Sequence, residues 1–85
     1  LRLGIAWRTD TAEPKSVILT NVVPGSPADI AGLKSRDRIH RIGGKGFASS
    51  DDFFDLATTL KSPVPLVYER NGQVRKAVIT IPGQR

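Results

Sequence analysis

The sequence predicts a mainly β domain: a small, partly open antiparallel barrel or sandwich of about five strands, capped by a short and a longer α-helix. Three observations carry this. Short segments alternate apolar and polar residues with a period of two; Asn71-Gly72 sits between two such segments as a strong hairpin signal; and only two stretches carry helix punctuation. The segments between them are too short for parallel crossovers, so neighbouring strands run antiparallel.

Leu3, Ile5 and Trp7 alternate with Arg2, Ala6 and Arg8, which predicts a half-buried strand over Leu1 to Trp7. Gly4 interrupts it and marks a bulge or a close approach of another part of the chain. Thr9 to Lys15 is polar and contains Pro14, hence a hairpin loop, and Ser16 to Val23 is rich in β-branched residues, hence a second strand. From Pro24 to Leu33 the helix signals come in order: Ser26 to cap, Pro27 for the first helical position, and Gly32 to end a helix of one to two turns. Asp37 to Ile42 is a third strand, in which the spacing of three between Ile39 and Ile42 demands a bulge or burial on both faces. Gly43-Gly44-Lys45-Gly46 is a tight turn.

Ser49 or Ser50 is placed to cap a second helix, with Asp51 and Asp52 in its first turn. Phe53, Leu56, Ala57 and Leu60 recur at helical spacing and predict about three turns, ending before Pro63. Val64 to Arg70 and Gln73 to Ile81 are the arms of the hairpin at Asn71-Gly72.

At 85 residues with 39% hydrophobic and 25% charged, the chain has the size and balance of one small globular domain. No linker or repeat divides it. It lacks a starting Met and opens directly on a strand pattern, so residues 1–85 are expected to be a single domain of a larger protein. No apolar run approaches the roughly 20 residues of a membrane helix, so membrane insertion by this segment is not expected. The absence of Cys excludes a disulfide framework and thiolate metal sites, and leaves the compartment open.

The net charge of +5 raises nucleic acid as a partner. Lys34, Arg36, Arg38, Arg41 and Lys45 fall in one stretch, yet no aromatic residues interleave with them, and a solvated face is the expected reading. The single His, His40, lies between Arg38 and Arg41 and is expected to be exposed on the surface. No nucleophile and base pair, zinc-ligand spacing or phosphate-binding loop is present, so neither catalysis nor a cofactor is expected.

The order of these motifs resembles the PDZ domain family. Arg2-Leu3-Gly4-Ile5 is similar to its carboxylate-binding loop, Val22 to Leu33 resembles the entry into its first helix, and Asp37 to Lys45 resembles the strand and turn that follow. Because the chain opens at the binding loop and closes with a C-terminal strand, it resembles the bacterial, circularly permuted arrangement of HtrA-type serine proteases. Arg36 stands where that pattern has Gly, and Gly43 where it has Asn.

The resemblance implies a non-catalytic module that captures C-terminal or extended apolar peptide segments by strand addition and serves or regulates a linked protease domain. It also implies a periplasmic, secreted or membrane-attached parent protein. The expected peptide-binding residues are Arg2, Leu3, Gly4, Ile5, Ala6 and Trp7 from the first segment, and Phe54, Ala57 and Thr58 from the shoulder of the long helix. In physical terms, an edge strand at Gly4 to Trp7 pairs with the guest backbone, while the N–H groups of Leu3, Gly4 and Ile5 receive a carboxylate and Arg2 adds charge nearby. The alternatives are a structural module whose groove is filled by a neighbouring domain, and weak nucleic-acid binding through the basic stretch.

Overall fold

Two extra residues in the sheet decide how the apolar side chains reach one core. In a computed structural model, which describes residues 3–13 and 15–81, strand β1 (Ile5–Thr9) pairs antiparallel with β2 (Val17–Val22). Ala6 faces Asn21 but Trp7 faces Leu19, so Thr20 is unmatched and bulges. The bulge turns both Leu19 and Val22 onto the core, although residues three apart fall on opposite faces of a regular strand. Strand β3 (Arg38–Ile42) repeats the device against β4 (Val64–Arg70): Ile39 faces Tyr68, Arg41 faces Val67, and His40 is the extra residue. Ile39 and Ile42 are consequently both fully buried, which resolves their spacing.

Strand β5 (Gln73–Ile79) completes an antiparallel sheet in the order β1-β2-β3-β4-β5. The two outer strands do not pair with each other, so the sheet stays open as expected. Asn71 and Gly72 make the β4–β5 turn with positive φ. Helix α1 (Pro27–Ile30) is a single turn: Ser26 Oγ accepts from Asp29 N–H and Pro27 takes the first position. Helix α2 (Ser50–Thr59) begins with a reciprocal cap, in which Ser49 Oγ accepts from Asp52 N–H while Asp52 accepts from Ala48 N–H. Phe53 and Ala57 are its buried face, and Leu56 and Leu60 pack at the core's margin.

Several expectations are corrected. Of the strand expected over Leu1 to Trp7, Leu1 and Arg2 lie outside the described residues; β1 starts at Ile5, after Gly4 adopts φ +78° and interrupts the run, and it continues to Thr9. Arg38 does not belong to a solvated face: its guanidinium is within 3.1 Å of both Asp10 and Glu13 and donates to Ser16 Oγ at 2.8 Å. The Ala12 N–H and that guanidinium hold the Asp10 carboxyl below its ordinary 3.8. His40 is half-buried rather than exposed, with Nε2 3.0 Å from Glu69 Oε1, because its place in the bulge brings it across to β4.

A buried carboxylate ties the α1 loop to the sheet. Asp37 is 1% exposed; Arg70 grips it with Nε at 2.8 Å and Nη2 at 2.7 Å, Lys34 N–H donates to it at 2.9 Å, and Arg70 also donates to Gly32 O. The bidentate bond to Asp37 raises the Arg70 pKa further. Arg36, next to it, takes φ +75°, the left-handed conformation of the Gly whose place it occupies, so that its N–H reaches Leu19 O at 2.7 Å. Removing the carboxylate leaves Arg70 without its charged partner and the loop held to it only through Gly32 O. Asp37→Ala is expected to cost about 2–4 kcal/mol and to lower Tm by roughly 10 °C or more; urea unfolding measures it, and a loss under about 1 kcal/mol would remove this cluster from the account.

Candidate functional site

The turn before β1 is built around one position that admits no side chain. A Cβ on Gly4 would overlap Ser26 Cβ and stand 2.6 Å from Ser26 Oγ, and the positive φ independently favours Gly. From this close approach Leu3 O accepts from Ala28 N–H at 3.1 Å and Gly4 O accepts from Val23 N–H at 2.8 Å. The loop is thereby pinned to α1 and β2 through its carbonyls. No described residue accepts from the N–H of Leu3 or Gly4, though both residues are buried. Two adjacent donors without a described acceptor in a buried turn form a concavity suited to an anion.

The bond from Gly4 to Val23 also sets which way the β1 backbone faces. Along an antiparallel pair, successive residues turn their N–H and C=O alternately toward and away from the partner. Gly4 and Ala6 face β2, so Ile5 and Trp7 present theirs on the opposite edge, where no described strand pairs with them. Their side chains meanwhile point to the core side: Ile5 is buried and Trp7 half-buried.

Across from this edge, Phe54, Ala57 and Thr58 of α2 complete a shallow, open cleft with Leu3, Gly4, Ile5 and Trp7. Thr58 Oγ1 donates back to its own helix, 2.9 Å from Phe54 O and 3.1 Å from Asp55 O. Trp7 spans the gap: its ring meets Phe53 edge-on with centroids 4.8 Å apart, tilts against Phe54 at 6.2 Å, and its Nε1 donates to Ser50 Oγ at 3.0 Å. Leu60 lies outside the cleft, because its Cδ1 fills the place a Cβ on Gly43 would take, 2.5 Å away. The Gly in place of Asn at position 43 thus gives Leu60 its seat.

Of the nine residues singled out from the sequence, the structure gathers Leu3, Gly4, Ile5, Trp7, Phe54, Ala57 and Thr58 around this one cleft. Ala6 stays apart: its side chain is exposed on the other face of β1 and its backbone pairs with Asn21. Arg2 lies outside the described residues. Two serines were read only as helix caps. Ser26 is the surface that Gly4 approaches, and Ser50 is the partner of Trp7. The position of Ser50 one turn before Phe54 was the signal available for it.

The described residues hold no cluster of His and carboxylate side chains able to bind a metal ion. The profile of the PDZ domain family matches residues 2–81 of the chain. The chain belongs to the PDZ domain family. A PDZ domain is a non-catalytic peptide-binding module. This PDZ domain superposes on an HtrA-type protease whose structure was determined with a decapeptide, with a TM-score of 0.79 and 21% identity, covering 98% of this chain and 28% of that one. It is also similar to a photosystem II D1 C-terminal processing protease, with a TM-score of 0.75 and 27% identity, covering 92% of this chain and 22% of the other. The chain thus spans under a third of the length of either protease. No curated protein matches it by sequence.

In this PDZ domain the loop geometry rests on Gly4. Gly4→Ala is expected to destabilise by about 2–4 kcal/mol, the sum of left-handed backbone strain and overlap with Ser26. Urea unfolding measures this, and a cost under about 1 kcal/mol would show that the approach to Ser26 relaxes freely.

Proposed function

We propose that this PDZ domain captures extended peptide segments, chain ends above all, by adding them as a sixth strand along the open edge of β1. The observation that carries this is the coincidence of three features at one place. The outward backbone groups of Ile5 and Trp7 lie on an unpartnered edge. The N–H groups of Leu3 and Gly4 have no described acceptor, and an apolar cleft lies between that edge and α2. Main-chain bonds supply affinity independent of sequence, the loop amides take the terminal carboxylate, and the cleft takes the last side chain. Leu3, Ile5, Phe54, Ala57 and Thr58 are among the residues that line it.

The same reading includes a linked protease domain that the captured segment serves or regulates. Its support is that both solved structures compared above are proteases, of which this chain matches only part. The parent gene decides this portion: a protease domain beside residues 1–85 supports it, and its absence contradicts it.

Titration of the isotope-labelled chain with heptapeptides bearing a free carboxylate or a terminal amide tests the binding site. The expected result is a shift of the Leu3, Gly4 and Ile5 amide signals by the free acid, with binding at least about tenfold tighter than for the amide, as charge-assisted bonds to two or three amides require. Equal binding by both removes carboxylate capture. No shift along Leu3 to Trp7 from either peptide removes the whole proposal.

A further inference from the structure

The sheet has a second open border, at the opposite end of the strand order from β1. No described strand pairs with the outer side of β5. The phase of its backbone follows from one bond: Gly43 N–H donates to Pro65 O at 2.7 Å, so Pro65 faces β3. Alternation along β4 then turns Leu66, Tyr68 and Arg70 toward β5, where Ala77, Arg75 and Gln73 stand opposite and turn back to meet them. Val74, Lys76 and Val78 are left with their N–H and C=O groups on the open border.

The side chains of these three residues share the face of the sheet turned away from the core. Val74 is 68% and Val78 54% exposed. Val78 stands opposite Pro65, and a shallow hollow runs between Gly44 and residues 65–67 and 76–78. Across the same face a row of Arg41, Val67 and Lys76 passes from β3 to β5. Both cations of this row are exposed, and no described salt bridge includes either of them. Glu69, on this face opposite Val74, is engaged by His40.

We propose that the β5 border is a second docking surface, which takes an extended segment of a partner protein with an acidic residue between two apolar ones, each two positions from it. An antiparallel guest of this kind sets its acid opposite Lys76 and near Arg41, and its apolar side chains opposite Val74 and Val78. Glu69 repels an acid from the Val74 position, which fixes the register. The row of backbone donors and acceptors selects an extended chain over a lipid or nucleic-acid surface, neither of which offers a matching row. A second copy of this chain fits poorly: the register that sets Val74 against Val78 sets Lys76 against its own counterpart, and each copy carries a net charge of +5. The two borders lie on different strands, so this docking is independent of peptide capture at β1.

Three heptapeptides with Thr at the odd positions test it, acetylated and amidated so that they bring no chain-end charge to Leu3 and Gly4. Their even positions hold Val, Glu and Val in the first, Val, Lys and Val in the second, and Ser, Glu and Ser in the third. In titrations of the isotope-labelled chain, the first is expected to shift the amide signals of Val74, Lys76 and Val78. It is expected to bind at least about fivefold more tightly than either of the others, as the summed charge and apolar cross-strand pairs allow. Lys76→Glu, at an exposed position, is expected to reverse the preference between the first and second peptides, a result that loss of folding does not imitate. Equal binding of those two peptides, or an unchanged preference in Lys76→Glu, overturns the proposal. Equal binding of the third peptide, the mark of a plain anion site, overturns it too, as does a shift of the β5 amides with the concentration of the chain alone, the mark of self-pairing. Shifts confined to Leu3 to Trp7 overturn it while leaving capture at β1 intact, and no shift along β5 with any peptide overturns it outright.

Discussion

The contact between Gly4 and Ser26 determines where the sheet stops and what lies beyond it. Because no Cβ stands between them, the loop closes against the start of α1, and the carbonyls of Leu3 and Gly4 are drawn to Ala28 and Val23. Everything on the other side of that loop follows from this anchoring. The amides of Leu3 and Gly4 have no acceptor among the described residues, and β1 leaves the loop in a phase that turns the backbone of Ile5 and Trp7 away from β2. Carbonyls bonded to α1 and β2, amides with no described acceptor and a strand edge with no described partner are the features on which the proposed peptide capture rests.

The rest of the molecule keeps that edge in register with α2. The bulges at Thr20 and His40 put apolar residues spaced by three onto one core face, and the core fixes the floor on which Phe53 and Ala57 seat the helix. Asp37, gripped by Arg70, holds the end of the α1 loop against the sheet, and Leu60, lodged over Gly43, fixes the rotation of α2. That rotation is what brings Phe54 and Thr58 to the cleft. Arg38 and Arg70 are committed to carboxylates elsewhere, and the described cleft lining holds no charged side chain.

How much of this was legible in the sequence follows from the range of each interaction. Local chemistry was readable: Ser26-Pro27 opening a turn of helix, Asn71-Gly72 closing a hairpin, and the shoulder of α2 beside its core stripe, which separated Phe54 and Thr58 from Phe53 and Leu56. The cleft was legible mainly because those local elements occur in an order that resembles PDZ domains. What escaped depends on partners far apart in the chain. Trp7 and Ser50 are 43 residues apart, Asp37 and Arg70 33 apart, and Arg38 and Asp10 28 apart. No spacing rule reports such pairs. The start of the first strand escaped for a different reason: the alternation reads on through Leu3, but Gly4 takes a positive φ and packs against Ser26, a distant contact that the pattern does not contain.

The most direct test of the account is amide hydrogen exchange with and without a bound free-carboxylate peptide. Ile5 and Trp7 N–H groups, exposed on the open edge, are expected to become at least about tenfold slower in the complex, while the amides along β5, the other outer strand, keep their rates. Protection spread along β5 with Ile5 and Trp7 unchanged would place the guest elsewhere and contradict the role given to β1.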